Sequence, residues 1–198
     1  QARGHVHVWP EASARQGDQI EIRARIETEG SDPESLWYRL PVVHQASITD
    51  SLDPFLIAII FYVMRRGTDL RVHGRISPSL LRNIEEFQAA WRCWVPDKYR
   101  EVDIRADIEA EDEPARTDSV LMTFSGGLDS CFTAWRHTKG NCGRRRRNLQ
   151  AAIMIHGFDI PLAEEDVFLR AAENSRKIAE SIGLELIPMT CNFRQLGG

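Results

Sequence analysis

Long apolar runs are missing from this 198-residue chain. The greasiest stretch, PFLIAIIFYVM from Pro54 to Met64, is too short to span a bilayer and is closed by Arg65 and Arg66. It reads as a buried helix, and no membrane partner is expected. No signal-peptide pattern is read at the start. Cysteine is scarce: Cys93, Cys131, Cys142 and Cys191 are scattered, with no CxxC pair and no metal-ligand spacing. That excludes a disulfide framework and predicts reduced thiols in a cytoplasmic protein. An excess of positive charge is also missing, since 25 Lys and Arg face 29 Asp and Glu, for a net charge of −4. A broad electrostatic footprint for nucleic acid is therefore not expected, although the run Arg144–Arg147 leaves tRNA open. Two phosphate-binding signatures are absent. There is no GxxxxGK[ST], and no GxGxxG follows a strand. No catalytic Cys-His pattern precedes residue 125.

The first part of the chain alternates as an antiparallel sheet does. HVHVW sets Val6 and Val8 against His5 and His7. QIEIRARIE puts Ile20, Ile22, Ala24 and Ile26 on one face and Glu21, Arg23 and Arg25 on the other. SLWYRLP is a third strand. A helix follows, with Asp53 as N-cap, Pro54 at its first position and Gly67 as its stop. After the short strand LRVHG, Ser77 and Pro78 cap a second helix. In it Leu80, Ile84, Phe87, Trp91 and Trp94 recur at helical spacing, which makes the tryptophans core. A last strand, VDIRADIEA, turns Val102, Ile104, Ala106 and Ile108 inward. Residues 1–109 thus form an α+β N-terminal domain.

EDEPARTD, Glu111–Asp118, is acidic and broken by Pro114, so a linker is placed at 110–117. The pattern then changes. SVLMTF is continuously apolar, as in a parallel-sheet strand covered on both faces. LDSCFTAWRHT is a helix, KGNCGRRRRN a turn-rich stretch and LQAAIMIHG a second apolar strand. Beyond Pro161 a long amphipathic helix buries Val167, Phe168, Ala171, Ala172, Ile178, Ala179 and Ile182 and stops at Gly183. LELIPM is a third strand. The order βαβαβ over residues 118–198 is half of a doubly wound α/β domain.

The chemistry sits in SGGLDS, Ser125 to Ser130, between the first of these strands and its helix. Gly126 and Gly127 permit positive φ and remove Cβ atoms, so that backbone N–H groups can close on an anion. The helix after them points its positive end at the same spot, and Ser125 and Ser130 add hydroxyl donors. Asp129 is the informative residue. A carboxylate is out of place in a pure anion cradle unless a cation joins it, and Mg²⁺ on a polyphosphate suits that role. Five fixed positions of this kind arise by chance on the order of a few times in ten thousand in a chain this long.

FSGGLDS resembles the PP-loop of the N-type ATP pyrophosphatases, the superfamily of asparagine synthetase, GMP synthetase, NAD synthetase and 7-cyano-7-deazaguanine synthase. The likeness is close at Ser125–Ser130 and looser through IMIHGFDIPLAEEDVFLRAAENSRKIAESIGLELIPM, covering roughly residues 118–196. It implies a Rossmann-like parallel sheet with helices on both faces, of the adenine nucleotide alpha hydrolase type. It also implies ATP and Mg²⁺ as cofactors. The implied reaction joins AMP to a carboxylate or carbonyl oxygen of a small-molecule substrate, releases pyrophosphate, and lets a nitrogen or sulfur nucleophile displace AMP. Ser125, Gly126, Gly127, Leu128 and Ser130 would hold the nucleotide's phosphates, with Ser125 and Asp129 in catalytic roles and Asp129 on the metal. Ile155 and His156 would lie by the adenine.

Other residues carry weaker signals. Asp159 follows the second strand and reads equally as a ligand contact or a helix-entry carboxylate. His156 also reads as a satisfied histidine at a strand end, and Cys131, in the first turn of its helix, reads as a sulfur-transfer thiol or as one turned into the helix. The N-terminal domain is left with three roles open: presenting substrate, recruiting a partner or building a homodimer. A start on Gln1 and an end at RQLGG carry the expectation of a fragment whose substrate residues lie downstream. The competing reading from another class is a nucleotide-binding or regulatory protein that keeps the loop without turnover.

Overall fold

A computed structural model describes residues 4–112, 118–140 and 142–196. Eight strands form one mixed sheet: β1 (His5–Gln16), β2 (Gln19–Thr28), β3 (Glu34–Pro41), β4 (Asp69–Ile76), β5 (Ile104–Glu109), β6 (Ser119–Thr123), β7 (Asn148–His156) and β8 (Glu185–Cys191). Four helices accompany them: α1 (Asp53–Arg66), α2 (Pro78–Trp94), α3 (Leu128–Thr138) and α4 (Glu165–Ser181). The strand order is β5-β4-β1-β2-β3-β8-β7-β6. Strands β5, β4 and β1 are mutually parallel, as are β8, β7 and β6, and antiparallel pairings through β2 and β3 connect the two sets. Of the expected linker, residues 113–117 lie outside the described residues. Just before them, Ala110 donates from its N–H to Ile76 O at 3.1 Å, and Glu111 accepts from Ser79.

The alternation read in the first strands matches the sheet. Val6, Val8, Ala24, Ile26 and Leu36 are buried under α1, with Leu70 and Val72 of β4 on the same face. Glu21, Arg23, Arg39, His7 and Trp9 occupy the opposite face of this half. Glu21 is fully buried there between Arg23 and Arg39, the latter donating at 2.6 Å. Helix α1 is the apolar run itself, with six residues from Phe55 to Met64 buried. Gly67 ends it at φ 67°, a left-handed conformation that any side chain would strain.

Its start differs from the expectation. Leu52 is the N-cap, and Asp53 is the first helical residue. The Asp53 carboxylate instead accepts from Ser77 N–H at 2.9 Å and Ser77 Oγ at 2.5 Å, tying the start of α1 to that of α2. Ser77 does cap α2, accepting from Leu80 N–H at 3.3 Å.

Two further expectations fail at exposed ends. Trp94 is 69% exposed, because α2 runs one turn beyond the aromatic cluster in which Trp91 meets Phe61, Phe87 and Tyr99. Ile108 is 55% exposed, because β5 is an edge strand and a register shift against β4 pairs Ile108 with Arg75 rather than with the buried Ile76.

Residues 118–196 form the expected βαβαβ unit, and the strand order β8-β7-β6 is parallel throughout. Its core is Phe124, Ala152, Met154 and Leu186 under Phe168, Ala172 and Ala179 of α4 and Ala134 of α3. Both of its helices lie on this one face. Val167 and Ile178, expected in the buried stripe of α4, lie toward its outer side, and Ser175 is buried in the stripe instead. On the other face of the trio Ile155 reaches the core beneath α1, while among the described residues Leu121, Ala151 and Ile153 meet no α-helix and share a hollow with His44 and Ser47 of the short 3-10 helix Val42–Ser47. Strand β6 is the edge of the sheet, and Leu121 is 56% exposed. A continuously apolar strand was expected to be covered on both faces, and here it is covered on one.

The two halves meet at β3 and β8 through only two residue pairs, Tyr38↔Cys191 and Arg39↔Thr190. Asn192 extends the join. Its Oδ1 accepts from Trp37 N–H at 2.8 Å and its Nδ2 donates to Ser35 O at 2.7 Å. Its own N–H donates to Trp37 O at 3.4 Å. Removing a buried amide that satisfies two backbone groups strands both, at about 1–3 kcal/mol each. Asn192→Ala should therefore lower stability by about 2–6 kcal/mol. A urea midpoint equal to that of the parent chain would show that the clamp is dispensable.

Burial pushes the Cys191 thiol up to about 11, and burial beside Cys191 holds the Tyr38 phenol above its ordinary range. Both native values exceed those of the unfolded chain. The stability they represent is thus complete below pH 9 and is lost as pH climbs toward about 11. Urea midpoints should fall across that window and fall less in Cys191→Ala. An identical fall in the variant would remove Cys191 from the account.

Candidate functional site

The loop that the sequence singles out stands at the carboxyl end of β6. Phe124 anchors it: the ring is buried, and the N–H donates to Ile153 O of β7 at 2.8 Å. The chain then turns at Gly126, φ 74°, and enters α3 through Gly127. Two serines grip the Gly127 peptide from either side. Gly127 N–H donates to Ser125 Oγ at 3.3 Å, and Ser130 Oγ donates to Gly127 O at 2.9 Å, with the two hydroxyls 3.3 Å apart.

The glycine at 126 has a structural reason that its sequence spacing alone does not give. A Cβ there would lie 2.6 Å from the buried Ser175 Oγ of α4, so the second helix packs directly on the loop. A side chain at 127 would meet only Ser125 Oγ at 3.4 Å, and that position faces outward.

The N-terminus of α3 has no side-chain cap. Its first N–H groups, those of Leu128, Asp129 and Ser130, therefore lack the acceptor that helix starts normally recruit. Leu128 is 84% exposed, which leaves its peptide open to a ligand. Asp129 is exposed and forms no hydrogen bond or ion pair with a described residue. The donor set fits a phosphate: backbone N–H groups, two hydroxyls and a helix end. One carboxylate also fits Mg²⁺, which completes its octahedron with phosphate oxygens and water. Among the described residues no group of three or more His, Cys, Asp or Glu side chains is arranged to hold a metal by itself.

Ile155 and His156 end the neighbouring strand β7, but their side chains face opposite sides of the sheet. Ile155 packs against the core beneath α1. His156 is buried, stacks on Phe168 at 4.5 Å, and bonds through Nε2 to Pro161 O at 2.9 Å. These contacts engage its ring within the protein. Cys131 turns back on the loop, donating from Sγ to Gly126 O at 3.5 Å. Asp159 is exposed, with Arg194 at 3.9 Å. Arg146 donates to the carbonyls of His137 and Thr138, both at 3.1 Å, and so closes the end of α3. Arg144, Arg145 and Arg147 are exposed.

Sequence reading missed Ser175 and Gly157. Gly157, φ 99°, lies where a Cβ would sit 1.9 Å from Cys191 O, so the turn after β7 is pressed onto the end of β8. No local signal marks either residue, because both contacts join segments distant in sequence. It also missed a polar cluster on the N-terminal half. There His7 Nδ1 and His73 Nε2 lie 2.8 Å apart, Asp107 is 3.4 Å from His73, and Trp9 is stacked on the His73 ring at 3.4 Å. Burial, followed by the nearby His73 and His5, holds the His7 imidazole below its usual range.

Compared with known proteins, the chain matches no family model, no curated protein and no solved structure.

Gly126→Ala places a side chain at a left-handed φ, costing about 1–2 kcal/mol, and adds the clash with Ser175 Oγ. The single variant should unfold at lower urea. Gly126→Ala with Ser175→Ala should regain the steric part and keep the backbone part. No regain in the double variant would place α4 away from the loop.

Proposed function

We propose that the loop Ser125–Ser130 binds the phosphates of ATP and that the protein is an ATP pyrophosphatase of the PP-loop class. It would convert ATP to AMP and pyrophosphate while activating a carboxylate or carbonyl oxygen for attack by a nitrogen or sulfur nucleophile. The observation that carries this reading is the uncapped, exposed start of α3 behind two glycines, at the carboxyl end of a parallel strand.

In this mechanism the N–H groups of Leu128, Asp129 and Ser130 and the hydroxyls of Ser125 and Ser130 bind the β- and γ-phosphates. The serines already hold the Gly127 peptide in place, so little reorganisation is needed when the ligand arrives. A substrate oxygen attacks the α-phosphorus, the bond to the bridging oxygen breaks, and pyrophosphate leaves with that bond's electron pair. Mg²⁺ held by Asp129 would neutralise charge growing on the leaving group. With the His156 ring engaged by Pro161 and Phe168, adenine recognition falls to the backbone at Ile155–His156.

The finer fold assignment supported by this reading is a Rossmann-like nucleotide domain at 118–198, preceded by an α+β domain at 1–109.

Incubation with α-labelled ATP, Mg²⁺ and a panel of carboxylic acids should release AMP and pyrophosphate. ADP and phosphate as products would sink the proposal, and tight ATP binding without turnover would leave the binding-only reading. Asp129→Ala should cut Mg²⁺-dependent turnover at least about 100-fold, and Ser125→Ala about tenfold.

A further inference from the structure

Strand direction puts a second feature at the same end of the sheet as the loop. Strands β2 and β8 both pair antiparallel with β3, and β8, β7 and β6 are parallel. The carboxyl ends of β2, β8, β7 and β6 therefore share one edge of the sheet. On that edge lies a groove of about 300 Å³. Its walls come from α1, from the segment after α2, from the end of β2 and from the turn after β8.

The groove is apolar at its floor and cationic at its rim. Phe61 and Tyr99 form an aromatic wall with ring centres 5.1 Å apart, and Tyr62 continues it. Phe61 is backed in turn by Phe87 and Trp91 at 5.1 and 4.9 Å, so the wall is rigid. Arg65, Lys98 and Arg194 line the same space, against one carboxylate, Glu34. That is a local excess of positive charge in a chain whose net charge is −4.

Folding does not consume these cations. Among the described residues Arg65 and Lys98 form no ion pair, and Lys98 rests only over the Tyr99 ring at 5.3 Å. Arg194 meets the exposed Asp159 at 3.9 Å, which is too long and too wet to matter. Exposed cations around an apolar hollow suit an anion that carries an apolar body.

We infer that this groove binds a small amphipathic carboxylic acid. Its planar or aliphatic body would lie against Phe61, Tyr62 and Tyr99, and its carboxylate among Arg65, Lys98 and Arg194. The inference rests on the ATP-dependent reading above and names the substrate class for that site. A carboxylate is one of the groups the proposed reaction activates, and the groove opens on the edge that carries Ser125–Ser130. Contact between the turns after β7 and β8 links the two places, since Phe158 meets Phe193 edge-on at 5.9 Å and Phe193 lines the groove.

The test separates this inference from the loop's chemistry. Phenylacetate, 3-(4-hydroxyphenyl)propionate and indole-3-acetate, each paired with its neutral amide, are titrated into the protein without ATP by ligand-observed NMR. At least one acid should bind about tenfold more tightly than its amide. Lys98→Gln with Arg194→Gln should abolish that preference while leaving amide binding unchanged, which also shows that the double variant is folded. No acid exceeding its amide, or a preference that survives the double substitution, would overturn the groove. Pyrophosphate release from Mg-ATP is then measured with the same acids. Acid binding without turnover would fail the loop's chemistry and keep the groove. Turnover indifferent to Lys98→Gln with Arg194→Gln would fail the groove and keep the loop.

Discussion

The structure depends on one short join. Two sheets of different polarity become one because β3 and β8 share two ladder pairs and the Asn192 amide adds a further rung. A side-chain amide has the same donor and acceptor as a peptide. Asn192 therefore continues the ladder onto β3 where its own backbone is already leaving for the next turn. Cys191, fully buried beside Tyr38, brings the core under α1 across the seam to Ile155 of β7. Without this join the carboxyl edge of β6–β8 would have no fixed relation to α1.

The placement of the helices follows from strand direction. Parallel strands joined through a helix cross over right-handed. The series β1, β4, β5 and the series β6, β7, β8 step across the sheet in the same sense, yet their strands point in opposite directions. A right-handed crossover then puts α1 and α2 on one face and α3 and α4 on the other. In a doubly wound domain, helices reach both faces because the strand order reverses. Here each set of helices serves a different half. The same geometry explains why β6 ends the sheet and why Leu121 has no cover.

Much of this was legible in the sequence, and the gaps have a common cause. Period-two alternation located β1, β2 and β3, and helical periodicity with Gly67, Ser77 and Gly183 located the helices and most of their ends. SGGLDS stated its own geometry, since two glycines between an apolar strand and a helix leave few backbone paths. What failed was everything set by partners remote in sequence. Asp53 looks like an N-cap until Ser77 draws its carboxylate away. Trp94 fits the buried period but lies past the end of what covers it, and Ile108 is paired with Arg75 by a register shift between β4 and β5. The apolar character of Val120, Leu121 and Met122 suggests burial on both faces, and only the strand order assigns β6 to an edge. Ser175 and Gly157 belong to the site's framework through close approaches that no local pattern encodes.

The join and the groove are mechanically one object. Asn192 is followed directly by Phe193 and Arg194, which line the groove from the C-terminal half, while Phe61, Arg65, Lys98 and Tyr99 line it from the N-terminal half. The amide clamp therefore fixes the distance between two walls that no other ladder connects at that edge. The loop at Ser125–Ser130 depends instead on Phe124, β7 and α4, all within one half. Loosening the seam would thus disturb the groove first and leave the phosphate cradle intact. Binding of an acid between the walls would in turn tighten the seam, because a ligand held by both halves favours the state in which they are joined.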